Sequence, residues 1–256
     1  MPPATSPNRL WIVRHGQSAG NVARDAAELA RLAVIDIAER DIDVPLSSLG
    51  ERQAAALGTW FRDLAPVQRP DVILCSPYVR AADTARIMLA TAHVSEDDVH
   101  FLLDERLREK EFGILDRLTR FGIQQKYPEL DEQRSHVGKF YFRPPGGESW
   151  CDVILRLRGV VDTLAREHAG ARVMIVAHQV IVNCLRYLLE ELTEQQILEI
   201  DRAGDVPNCG VTSYRFDPES GRNGRLVLVQ ANVVTPLIEE GAAVTTQPDI
   251  PLAAKP

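Results

Sequence analysis

A chain of 256 residues, 45% hydrophobic and 25% charged, is long enough for a substantial core and reads as neither a disordered polymer nor a fibre. Its formal net charge of −7 comes without any basic block, which excludes duplex nucleic acid and anionic membrane surfaces as main partners. The start, MPPATSPNRL, lacks a charged-then-apolar leader, and no apolar run approaches the length of a bilayer span.

In chain order, the first element is the apolar run at 10–14, read as a buried strand that ends abruptly in Arg14, His15 and Gly16. Between 22 and 40, Val22, Ala26, Leu29, Ala33 and Ile37 recur at helical spacing, with Arg24, Glu28 and Arg31 on the opposite face. This predicts a helical insert that roofs whatever the strand end binds. Ser47 or Ser48 caps a helix running to about residue 64, with Glu51 placed for a capping box. Strands follow at 71–75 and 100–103, and a helix at 148–168 whose apolar side carries Trp150, Val153, Ile154, Leu157, Val160, Val161 and Leu164. Further strands are read at 172–177, 211–216 and 225–230, the last two joined as an antiparallel hairpin by the turn-rich stretch at 217–224. The tail, 241–256, holds few large apolar residues and is expected to be disordered. Short strands alternating with helices predict one domain over 1–240: an α/β fold, three-layer and doubly wound, with a mostly parallel central sheet and helices on both faces. Cys75, Cys151, Cys184 and Cys209 are scattered without a CxxC pair, which suits a reducing compartment, so a cytoplasmic location is expected.

In such a sheet, functional groups collect where strands end and the following helices begin. The first strand ends in Arg14-His15-Gly16. The strand at 71–75 leads into Ser76-Pro77 and a helix with Arg80 in its first turn, and that at 172–177 leads into His178-Gln179. Two arginines and two histidines beside helix N-termini favour an anion. Phosphate fits best, because the guanidinium is a planar fork that stays charged, and Gly16 lets the backbone come close. His93, His100, His136 and His168 lack this context and are read as capping or packing residues. The stretch CGVTSYR (209–215) has the letters of a cysteine phosphatase, but its β-branched context predicts a strand, where no phosphate cradle forms.

These residues resemble the histidine phosphatase superfamily, the phosphoglycerate mutase-like proteins. The family pattern is Arg-His-Gly with an asparagine six residues after the histidine, here Asn21. Then comes Ser-Pro-x-x-Arg-Ala-x-x-Thr-Ala, here SPYVRAADTA at 76–85, and Leu-x-Glu-x-x-x-Gly, here Leu107, Glu109 and Gly113. A late histidine after a strand, here His178, completes it. The segments at 144–161, 177–185 and 206–214 resemble the fructose-2,6-bisphosphatase branch in particular. That branch has a lysine where Gly146 stands and an arginine where Asn183 stands, both on the sugar bisphosphate. A monophosphate, or a bisphosphate held differently, is therefore expected here. Likeness to cofactor-dependent mutases is poorer, since 17–20 lacks the tryptophan before the asparagine and Gln179, not glycine, follows His178.

The resemblance implies a metal-independent phosphomonoesterase, with no cofactor, acting on a small phosphorylated metabolite. His15 would be the nucleophile, Glu109 the proton donor, and Arg14, Arg80 and His178 the charge stabilisers. Asn21, Gly16 and Gln179 would contact substrate, and Arg143 is either a further contact or a surface charge before a proline turn. Mutase-type phosphoryl transfer and a weakly active phosphate-binding module are the rival readings. The sequence leaves the oligomeric state open.

Overall fold

The computed structural model describes residues 5–247. The first half of the chain forms β1 (Arg9–Arg14), α1 (Ala19–Leu29), α2 (Ser48–Asp63), β2 (Val72–Cys75), α3 (Val79–Thr91) and β3 (His100–Leu103). Then come α4 (Arg120–Lys126), α5 (Pro128–Val137), α6 (Trp150–Glu167), β4 (Arg172–Ala177) and α7 (Gln179–Leu189). The chain continues through α8 (Glu194–Ala203), β5 (Val211–Asp217), β6 (Arg225–Val233) and α9 (Thr235–Glu239).

All six predicted strands form and join one sheet, ordered β3-β2-β4-β1-β5-β6. The pairs β1 with β4, β2 with β4 and β2 with β3 are parallel, while β5 runs antiparallel to both β1 and β6. The sheet is thus mixed: a parallel body with the expected hairpin added at one side.

Successive side chains on a strand point to opposite faces, and the sheet builds two cores from that alternation. Leu10, Ile12, Val173 and Ile175 pack under α6 and α7, together with Trp150, Val153, Leu157 and Val160. Trp11, Val13, Met174 and Val176 pack on the other side with Leu57 and Phe61 of α2 and Ala81, Ala85 and Met88 of α3. This is the expected three-layer arrangement.

Local chemistry sets the helix ends. Ser149 caps α6 and Asp152 returns the bond to the Ser149 backbone, so the helix begins two residues later than the letters suggest. Ser47, not Ser48, caps α2 by accepting from the Gly50 amide at 3.1 Å. Glu51 then stands one position beyond the place from which a capping box closes.

The insert departs from expectation. Helix α1 stops at Leu29, where Ala30 donates to the Ala26 carbonyl at 3.0 Å, Arg31 takes a φ of 53° and Leu32 reaches the Ala27 carbonyl at 2.9 Å. Residues 30–40 then run irregularly beside the segment before α4. Ile35 donates to Arg117 at 2.8 Å and Thr119 to Ala33 at 3.2 Å. The faces of α1 are also reversed: Asn21, Arg24 and Ala27 are buried, while Val22 and Leu29 are 46% and 90% exposed. Of the tail, residues 242–245 fold back on the domain. The Gln53 side-chain amide donates to the Ala243 carbonyl at 2.8 Å and to the Thr245 hydroxyl at 2.9 Å. Residues 248–256, the rest of the stretch expected to be disordered, lie outside the described residues.

Candidate active site

Because β2, β4 and β1 are neighbours in that order, their carboxyl ends open onto one crevice. The ladder even continues past the strands: His15 donates to the Ala177 carbonyl at 2.9 Å and Ser76 to Val176 at 3.0 Å. Sheet register therefore places His15, Ser76 and His178 side by side. Gly16 must be glycine for a steric reason, since a Cβ there would lie 2.6 Å from the Gly50 carbonyl oxygen. Its amide donates to the Thr84 hydroxyl at 3.0 Å, tying the first strand end to α3.

His15 is fully buried. Its Nδ1 lies 2.6 Å from the Gly16 carbonyl, an acceptor, so the proton sits on Nδ1 and Nε2 carries the lone pair. Arg80, held in the first turn of α3, donates its Nε–H to that Nε2 at 3.3 Å. The His178 ring meets His15 edge-on, with centroids 5.1 Å apart, and its Nε2 lies 2.8 Å from the Ser76 hydroxyl. Tyr78 packs on His178 at 5.1 Å and beneath the Arg80 guanidinium at 5.0 Å. Burial, with Glu111 and Asp41 nearby, pushes the Tyr78 phenol far above its ordinary range, so the ring stays neutral.

The remaining expected residues fall into three groups. Arg14, fully buried at the end of β1, donates to the Val206 carbonyl at 2.6 Å and to that of Gln247. Asn21 uses its Oδ1 to accept from the Ser18 amide at 2.9 Å and the Ser18 hydroxyl at 3.0 Å. Only its N–H groups are then the right polarity for an anion. Glu109 is 1% exposed, and its carboxylate accepts from the Lys110 amide at 2.7 Å. The loop that carries it is clamped by Arg156, which donates to the carbonyls of Arg106 and Glu109 and to the carboxylate of Glu148. Burial raises the pKa of Glu148, but the Arg156 hydrogen bond and charge, the Glu111 amide and Arg108 together outweigh it and the net shift is downward, so the clamp stays ionised. Gln179 donates to Asp205 at 2.8 Å at the start of α7. Arg143 stands apart from this group. Its side chain is 62% exposed and pairs with Asp152 at the head of α6, which fits the surface-charge reading.

Several contributors were not among the site residues read from the sequence, although Asn208 and Cys209 lie in the 206–214 stretch that resembles the bisphosphatase branch. Asn208 donates to the His15 carbonyl at 3.0 Å, and the Cys209 amide to that of Arg14 at 3.0 Å, so the turn before β5 braces the Arg14-His15 backbone. Asp41, in the short turn just after the insert, pairs with Arg80 at 3.0 Å. A cavity beside Glu109 is lined by Lys110, Phe112, Arg134, Lys139, Phe142 and Trp150, among others. Cys209 is buried at the approach to β5, and burial pushes its thiol up to about 12, which removes any thiolate nucleophile at neutral pH.

Residues 10–228 match the histidine phosphatase superfamily (branch 1). The chain belongs to that family. This histidine phosphatase is 32% identical over 224 residues to the 6-phosphofructo-2-kinase/fructose-2,6-bisphosphatase of Caenorhabditis elegans. The match covers 84% of the chain but 43% of that relative, so the chain spans less than half of the relative's length. It is 29% identical over 202 residues to a 2,3-bisphosphoglycerate-dependent phosphoglycerate mutase of Rhizobium meliloti strain 1021, covering 77% of this chain and 87% of the mutase. Among solved structures, the mycobacterial glucosyl-3-phosphoglycerate phosphatase in complex with VO3 is similar with a TM-score of 0.65 and 27% identity. That match covers 88% of the histidine phosphatase and 99% of the mycobacterial chain. The sheet, the strand-end crevice and these relatives agree on an enzyme of the phosphatase kind. No helix among the described residues is long and apolar enough to cross a membrane.

Proposed function

We propose that this histidine phosphatase hydrolyses small cytoplasmic phosphomonoesters through a phosphohistidine on His15, with no metal ion. The reading rests chiefly on the His15 tautomer: Nδ1–H is spent on the Gly16 carbonyl, which leaves the Nε2 lone pair facing Arg80 at 3.3 Å. A neutral imidazole whose unprotonated nitrogen faces a fixed cation is suited to accept a phosphoryl group.

In the first step Nε2 attacks phosphorus in line, the P–O ester bond breaks, and Glu109 gives its proton to the leaving alkoxide. In the second, the Glu109 carboxylate takes a proton from water, the water oxygen attacks phosphorus, and the P–N bond breaks to free His15. Arg14, Arg80, His178 and the Asn21 amide stabilise the non-bridging oxygens. Phosphoryl transfer needs positioning and charge more than covalent help, so this buried cage carries most of the acceleration.

Relatives that include a mutase keep transfer to a second hydroxyl as the competing reading. A screen of phosphorylated metabolites by phosphate release tests hydrolysis. Incubation with 3-phosphoglycerate and a bisphosphate primer then separates the two: isomerised ester without free phosphate overturns the hydrolase reading. Gly146 and Asn183 lack the charges of the bisphosphatase branch. Each absent charge-assisted contact is worth about 1.5–3 kcal/mol of binding, so kcat/KM for fructose 2,6-bisphosphate should fall below that for monophosphates.

A further inference from the structure

The turn that follows the insert contributes a carboxylate to the phosphate crevice. Asp41 sits in a short turn, Asp41–Asp43, and receives Arg80 Nη1 on its carbonyl at 2.5 Å and on its carboxylate at 3.0 Å. Arg80 is 2% exposed and Asp41 29%, so the carboxylate stands at the mouth while the guanidinium lies beneath it. Arg80 Nε remains on His15, which places Asp41 within one side chain of the reacting nitrogen. The roof is rigidly stitched at this point: Ile35 and Thr119 exchange backbone bonds with Arg117 and Ala33, and Arg117 donates to the Glu39 carbonyl at 2.7 Å. Asp116 belongs to the same rim. Burial raises its pKa and Asp41 raises it further, while Arg117 and Arg80 oppose. Glu111 approaches from the other side, accepting from the Tyr78 hydroxyl at 3.2 Å. The buried Arg80 thus pairs directly with Asp41 and feels Asp116, while Glu111 stands beside Tyr78 and pairs with Arg108 at 3.8 Å.

We propose that Asp41 is a specificity-determining residue, selecting phosphomonoesters whose alcohol is neutral and hydroxylated next to the ester and turning away those with a second anion there. The inference rests on the hydrolase reading above. Asp41 already takes part of the charge of Arg80. The transferred phosphoryl group would lie against Arg14 and Arg80, and a carboxylate beside it would approach Asp41 and be repelled. A hydroxyl in the same place donates to Asp41 instead. Charge at that point therefore sorts substrates by repulsion as well as by attraction.

The test compares glycerol 2-phosphate with 2-phosphoglycerate, which differ in whether a hydroxymethyl or a carboxylate sits on the ester-bearing carbon. Wild-type kcat/KM, read by phosphate release, should favour glycerol 2-phosphate at least tenfold. Asp41→Asn should shrink that ratio at least tenfold. A ratio taken within one preparation is independent of the folded fraction. Wild-type preference for 2-phosphoglycerate, or a ratio unmoved by Asp41→Asn, overturns the proposal. The same two esters are titrated by calorimetry into His15→Ala and into His15→Ala with Asp41→Asn. If neither ester is hydrolysed, the hydrolase reading is left to the metabolite screen, and the calorimetric ratio decides the role of Asp41: movement upholds it and constancy overturns it.

Discussion

In the proposed mechanism Glu109 and Arg80 act on different charges, and leaving-group chemistry tells them apart. A general acid matters in proportion to the basicity of the oxygen that leaves, so Glu109→Gln should slow an alkyl phosphate by on the order of 10²–10⁴. The same variant should barely change the release of p-nitrophenolate, a stable anion; equal losses on both esters would remove Glu109 from that role. Arg80→Ala should slow both by about 10²–10³, because it stabilises phosphoryl charge whatever leaves. Beside Glu109, burial pushes the Lys110 ammonium down to about 8, with Glu109 and Glu148 opposing and Arg134 and Lys139 assisting. From about pH 8 to 10.5 the unfolded chain then holds more protons at this lysine than the folded one, so its contribution to stability rises with pH across that window. Below it the full burial penalty applies. Lys110→Met should be the more stable protein at pH 7, by up to about 3 kcal/mol, and urea melts should show the gap closing towards pH 10. His15 and His178 were legible because each stands at the end of an apolar run, and Arg80 because it falls in the first turn of the helix that follows another. The bonds from the 206–209 turn to Arg14 and His15 were not, since the resemblance over 206–214 does not state which distant backbone that turn braces.

At the scale of elements, α6 was legible because its stripe faces only core, and its Leu157 is fully buried. Leu157→Ala should cost about 2–5 kcal/mol of stability by chemical denaturation, with KM unchanged. Helix α1 misled for a physical reason. Its inner face is polar, burying Asn21 and Arg24 and leaving Val22 and Leu29 in water. A hydrophobic stripe marks the buried side only where the neighbour is apolar. The segment 30–40 shows the same limit, since its apolar residues match a helix but pair with the strand-like stretch before α4. That pairing needs Gly122, where a Cβ would come within 1.9 Å of the Ala33 carbonyl oxygen. Gly122→Ala should therefore unseat the roof, raising KM for a small phosphomonoester while the far-ultraviolet circular dichroism stays native. An unchanged KM would detach the roof from the site.

Across the whole molecule, strand order does the assembling. The parallel body was legible because strands covered on both faces read as unbroken apolar runs. Its order was not, because nothing local states that β1 lies between β4 and β5. That order brings residues 15, 76 and 178 to one crevice and makes a cationic cage from three distant segments. A cage of arginine, histidine and amide groups suits a phosphoryl dianion and not a divalent cation. Activity should accordingly be the same before and after EDTA, and a loss restored by one divalent ion would require a different chemistry. The central claim is covalent, and its most direct test is to trap the intermediate. Enzyme mixed with a phosphomonoester, stopped within one turnover in denaturing alkali and digested, should yield a peptide phosphorylated on His15, stable in base and lost in acid. The His15→Ala protein, folded by circular dichroism, should yield none and should release no phosphate. Steady turnover by that variant, or a phosphorylated peptide that excludes His15, would contradict the account.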